Sequence, residues 1–176
     1  GKWETFPDAA ALDEARNAEP APEPAGNFHS TDDDLGIGGP KQKYARNIEA
    51  IRTLFQLEQE HRGATAEEQQ VLSQYVGWGG LADAFDPGKD SWAKEYAELK
   101  GLLSEDEYAA ARSSTLNAHY TSPVVIRSIY DAVEKIGFRS GNILEPSMGV
   151  GNFVGMLPDT MQDSPLYGVA LDSTPG

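Results

Sequence analysis

Cysteine is missing from all 176 residues, which excludes disulfides, thiolate metal sites and thiol nucleophiles together. Histidine is scarce, with three scattered along the chain, so a zinc site is not expected. Nowhere do eighteen apolar residues run together, and no apolar stretch of signal-peptide length follows the opening GKWETFPDAA. Neither a membrane span nor a signal peptide is predicted, and the expected compartment is the cytoplasm. Positive charge is also short: 14 Lys and Arg stand against 28 Asp and Glu, for a formal net charge of -14. A protein that grips phosphates needs cations to release counterions from DNA, so direct DNA binding by this chain alone is not expected. Such an acidic balance serves solubility, or it suits a protein partner with a basic surface.

Proline, alanine, glycine and acids crowd the first forty residues, in EARNAEPAPEPAGNFHSTDDDLGIGGP, without helical or alternating period. Residues 1–40 are therefore predicted to form a flexible acidic arm, largely disordered. Asp32-Asp33-Asp34 lacks the spaced oxygens and closing Glu of a calcium loop and is expected to be a solvated turn. From Lys41 the pattern changes. Tyr44, Ile48, Ile51, Leu54, Phe55 and Leu57 recur at three- and four-residue steps, predicting an amphipathic helix that ends near Gly63. Thr65 with Glu68, and Ser104 with Glu107, each match a capping box at the start of a further helix. The first of these is predicted to run through Val71, Leu72 and Tyr75 to Gly77-Trp78-Gly79-Gly80, where the indole plugs a gap in the core. With one more helix near Ser91–Lys100, residues 41–115 are predicted to form a small helical bundle.

Residues 116–176 follow a different rhythm. Ser122-Pro123 opens a helix whose apolar face is predicted to be Val124, Val125, Ile129, Val133 and Ile136, with Gly137 closing it. Two strands are predicted, Asn142–Leu144 and Leu166–Leu171, separated by a glycine loop and a short helix from about Asn152. Helix, strand, loop, helix, strand begins a parallel α/β sheet.

The loop "NILEPSMGVGNF" narrows the ligand. A triphosphate loop needs a Lys-Ser or Lys-Thr after its glycines, and none is present. A dinucleotide fingerprint reads GxGxxG directly off the strand, whereas here Gly155 comes one place late and Glu145-Pro146 intervenes. S-adenosylmethionine suits the loop better. Its methionine end carries an ammonium and a sulfonium, which an acid at the strand end can face while glycine amides meet the carboxylate.

"LNAHYTSPVVIRSIYDAV", "NILEPSMGVGNF" and "LYGVALD", in that order, resemble the N-terminal half of adenine-specific N6 DNA methyltransferases, in the form found within very large methyltransferase-helicase proteins of phages and conjugative elements. "DDDLGIGGPKQKYARN" and "YVGWGGLADAFD" are similar to the segment that precedes that domain, so the resemblance extends from Asn27 onward. It implies a Rossmann-like methyltransferase sheet, of which this chain holds the first βαβ part, and a bacterial cytoplasmic setting. It also implies that His119, Tyr120, Thr121 and Pro123 belong to the first cofactor motif, with Thr121 and the helix start against the methionine moiety. Glu145, Pro146, Gly149 and Gly151 match the glycine motif, with Phe153 packed under the loop. Family members read GVELD at the end of the second strand, where the Glu holds the cofactor's ribose; this chain has Ala170 there. Asp172, on the same side of the strand but roughly 6–7 Å further along, is the remaining candidate for the ribose. S-adenosylmethionine binding is therefore expected to be weak or lost.

The Asn/Asp-Pro-Pro-aromatic loop that holds a flipped adenine for N6 methylation occurs nowhere in the sequence. No catalytic residue is assigned, and no methyl transfer by this chain is expected. Three functional readings follow. One makes the chain a catalytically inactive, methyltransferase-like binding protein of a mobile element, a counter-defence inhibitor with a DNA-mimicking acidic surface aimed, for example, at a CRISPR nuclease. The sequence favours this one, because ALDSTPG reads as a terminus. The alternative is a fragment of an S-adenosylmethionine-dependent methyltransferase-helicase, and the third reading is an assembly module of that large protein. Two strands also leave an exposed sheet edge at which a homodimer could form.

Overall fold

The structure, a computed structural model, describes residues 26, 28–116 and 120–169. Most of the predicted arm, His119, Ala170 and Asp172 lie outside the described residues. The fold is a helix-rich mixture of α and β with a two-stranded parallel sheet.

Helix α1, Pro40–Glu60, starts with proline in its first turn, where the missing N–H costs no hydrogen bond. Tyr44, Ile48, Ile51 and Leu57 lie on its buried stripe, and His61 ends it in the left-handed region at φ 51°, short of Gly63. Helix α2, Ala66–Leu72, opens on the predicted Thr65–Glu68 capping box, with both reciprocal bonds present. It stops at Leu72 instead of reaching Tyr75. The cause is Asn47, fully buried on α1: its Oδ1 accepts from Val76 N–H at 2.9 Å, and its Nδ2 donates to the Gly77 carbonyl at 2.6 Å. That pair of bonds captures the backbone that another helical turn would use.

Short 3-10 turns at Ala82–Phe85 and Asp90–Trp92 lead to α3, Ala93–Leu102, and α4, Glu105–Ser114, the latter on its predicted capping box at Ser104 and Glu107. Trp78 is the hub of this region, 1% exposed, with ring centroids 6.2 Å from Tyr44 and 5.3 Å from Phe85. Leu81 and Leu99 close the core around it.

Helix α5, Pro123–Lys135, precedes strand β1, Ile143–Glu145; the one-turn helix α6, Asn152–Gly155, and a 3-10 turn, Asp159–Met161, lead to strand β2, Leu166–Gly168. The strands pair in parallel, Leu144 opposite Tyr167. Here the expected helix face is corrected. Pro123, Ile126 and Tyr130 are the buried side of α5, packed with Met156, Leu157 and Met161. Of the expected face Val133 packs against this cluster, whereas Val124, Val125, Ile129 and Ile136 are exposed. The helix carries two adjacent apolar stripes, and periodicity cannot say which of them meets the next layer.

Residues 28–37, part of the predicted arm, lie against this framework. Ser30 N–H donates to the Gly155 carbonyl at 2.6 Å, and Leu35 packs on the second core. The three aspartates are not simply a solvated turn: Asp32 accepts from Gln74 and from its neighbour's Asp34 N–H, while Asp33 pairs with Arg127 of α5. Those bonds hold the Asp32 carboxyl below the usual carboxylate range, that from Gln74 most strongly.

Candidate functional site

Chain geometry after β1 decides what the glycine loop can do. Glu145 ends the strand, exposed Pro146 turns the chain, and Met148 N–H donates to the Val169 carbonyl at 2.9 Å, pinning the loop beside β2. Gly149 and Gly151 both take positive φ, 52° and 76°, where a side chain is disfavoured. Their surroundings differ. A Cβ on Gly151 would meet open space, so this glycine serves the left-handed turn at the start of α6. A Cβ on Gly149 would come within 2.9 Å of the Tyr120 ring, so this one also makes room for an aromatic side chain.

Tyr120 is wedged. A side chain on Gly77 would collide with the other edge of its ring and its hydroxyl, so the ring lies between the loop that carries Trp78 and the glycine loop. It stays 38% exposed and joins Thr121, Ser122, Pro123, Asn152 and Lys43 around a cleft of about 510 Å³, closed further by the backbone of Gly79-Gly80 and of Leu35–Ile37. Ser122 starts α5 without making a capping bond, which leaves its hydroxyl available to the cleft. Arg46 of α1 donates to the Ile37 carbonyl at 2.9 Å and steadies the opposite rim. Among the described residues no carboxylate and no histidine lines this space.

Glu145 stands elsewhere. It lines a separate hollow of about 350 Å³ between α5 and the sheet, bordered by Ile129, Leu144, Val154 and Tyr167, and its Oε1 accepts from Ser147 N–H at 3.0 Å. Burial, with the Glu145 charge second, pushes the Tyr130 hydroxyl up to about 12. Tyr130 in turn donates to the Phe153 carbonyl at 2.6 Å, and the two rings meet edge to face at 6.1 Å. Phe153 thus packs against Tyr130 at the edge of the second core.

Of the residues singled out from the sequence, Tyr120, Thr121 and Pro123 share the cleft with Asn152. Gly149 touches Tyr120, Gly151 begins α6, and Glu145 and Pro146 sit outside the cleft. Lys43 and the Gly79-Gly80 backbone were not singled out for this role; nothing in the local pattern around Lys43 distinguishes it from other cations on α1. Among the described residues the polar side chains that line the cleft are three hydroxyls, an amide and an ammonium. Such a set can donate hydrogen bonds to an anionic group. Compared with protein-family models, with curated proteins and with solved structures, the chain matches none.

Proposed function

We propose that this chain is the cofactor-binding portion of an adenine-specific N6 DNA methyltransferase of the methyltransferase-helicase kind, beginning a Rossmann-like sheet and unable to transfer a methyl group alone. One observation carries the reading: the Tyr120–Pro123 segment and the start of α6 after the glycine loop, far apart in sequence, border one cleft large enough for a nucleoside-sized ligand. The cleft's donors fit the carboxylate of the methionine moiety of S-adenosylmethionine. Thr121, Ser122 and Asn152 would hold that end, and the cofactor would supply an activated methyl group. Glu145 already accepts from its own turn and lines a separate hollow, which is consistent with weak binding.

Amide spectra recorded during titration with millimolar S-adenosylmethionine test this. Shifts centred on Tyr120–Ser122 and Asn152 are expected, with no tritium passing from labelled cofactor to mixed-sequence DNA. Unmoved cleft signals at saturating ligand would remove the reading, and incorporation above background would restore an active enzyme.

A second reading, the counter-defence inhibitor, is favoured by the apolar hollow beside α5 in a chain of net charge -14. It requires a basic protein partner whose binding weakens steeply with salt, since exposed charges are screened within about 10 Å at 0.1 M. Binding to a CRISPR nuclease that did not change between 50 and 500 mM salt would count against it.

A further inference from the structure

We propose that Lys43 reads a carboxylate on the ligand of the cleft, so that the helical region supplies part of the binding site. This rests on the reading of the cleft as a cofactor site. The other cations of α1 are all engaged: Lys41 pairs with Glu95 and lies over the Trp92 ring, Arg46 donates to Ile37, and Arg52 pairs with Glu98. Lys43 is half-buried, lines the cleft, and makes neither an ion pair nor a side-chain hydrogen bond among the described residues. Acids outnumber bases two to one in this chain, so a half-buried ammonium with no carboxylate partner among the described residues stands out. The space it borders contains no carboxylate among the described residues, and its other polar side chains can donate as well.

A half-buried cation surrounded by donors favours an anion, because the charge gains Coulomb energy that exposed pairs largely lose to solvent. Charge-assisted bonds to a carboxylate are about twice as strong as neutral ones. The role assigned to Lys43 is therefore selection, distinguishing ligands that carry the carboxylate from those that lack it.

Three probes separate the alternatives: S-adenosylmethionine, S-adenosylhomocysteine and decarboxylated S-adenosylmethionine, each titrated into the wild-type chain and into Lys43→Met and Lys43→Arg. The wild type should prefer the two carboxylate-bearing probes by about tenfold. Lys43→Met should erase that preference while leaving the decarboxylated probe's affinity unchanged, and Lys43→Arg should retain most of it. Both variants should melt at the wild-type temperature, because Lys43 makes no ion pair or side-chain hydrogen bond among the described residues. Equal wild-type affinity for all three probes overturns the proposal, as does a preference that survives Lys43→Met; in either case the cofactor reading stands. Failure of the wild type to bind any probe overturns both together.

Discussion

The helical region and the α/β segment place their large apolar side chains in opposite ways. Between Tyr44 and Tyr108, Trp78, Leu81, Phe85 and Leu99 are each 2% exposed or less, and one connected core joins α1, α3, α4 and the turns between them. Between Val124 and Val169, Ile129, Leu144, Leu166 and Tyr167 are 40–62% exposed. The first region closes its own core. The second buries one side of α5 and leaves the other, with the open sheet face, for a further layer to cover, as parallel strands require on both faces. Tyr120 is wedged between the loops of the two regions, against Gly77 on one side and Gly149 on the other.

The largest effect that would break this comparison comes from its two extremes. Trp78→Ala should cost about 3–5 kcal/mol in denaturant unfolding, through lost burial and the cavity left behind. Leu144→Ala should stay within about 0.5 kcal/mol. Similar losses at the two sites would mean that the sheet face is covered after all.

Asn47→Leu comes next. It removes both partners of the Val76–Gly77 backbone inside the core and should cost about 2–3 kcal/mol, with α2 extending toward Tyr75. Hydrogen exchange at residues 73–76 would reveal the added turn, and unchanged exchange would show that Asn47 does not terminate α2.

Glycines sharpen the comparison at its seam. Gly151→Ala meets only the left-handed backbone penalty, about 1 kcal/mol, whereas Gly149→Ala must also push the Tyr120 ring aside and should cost about 2 kcal/mol. Adding Tyr120→Ala should remove the excess from Gly149→Ala and leave Gly151→Ala unaffected. A double-mutant cycle without coupling between 120 and 149 would deny the wedge.

The smallest effect is in acid. Arg62, through two bonds of 2.5 and 2.6 Å, and to a lesser extent Thr65 N–H together hold the Glu68 carboxyl at about 2. A carboxyl lowered from the ordinary 4.5 contributes stability that is full above that value and is lost as pH falls toward 2. Glu68→Gln should therefore flatten the acid limb of the stability profile between pH 4.5 and 2, and an unchanged limb would show that the pair is solvent-screened.

Local chemistry was legible in the sequence wherever the deciding atoms lie within one turn of each other. Both capping boxes, the proline start of α5 and the left-handed Gly137 after α5 come from side chains and backbone a few residues apart, and these sequence-local forces act in any fold that keeps the segment helical. Long-range partners decided the rest. Asn47 stops α2 from 29 residues away, Gly77 and Gly149 seat Tyr120 from opposite sides, and α5 chooses between its two apolar stripes by what lies beside it. Lys43 becomes part of a cleft only because α1 lies near the start of α5, an adjacency that no periodicity encodes. The sequence by itself determined where helices begin and which loop bends through glycine; tertiary structure alone decided which faces are buried and which residues meet, because burial and hydrogen bonding depend on distances in space that sequence separation does not set.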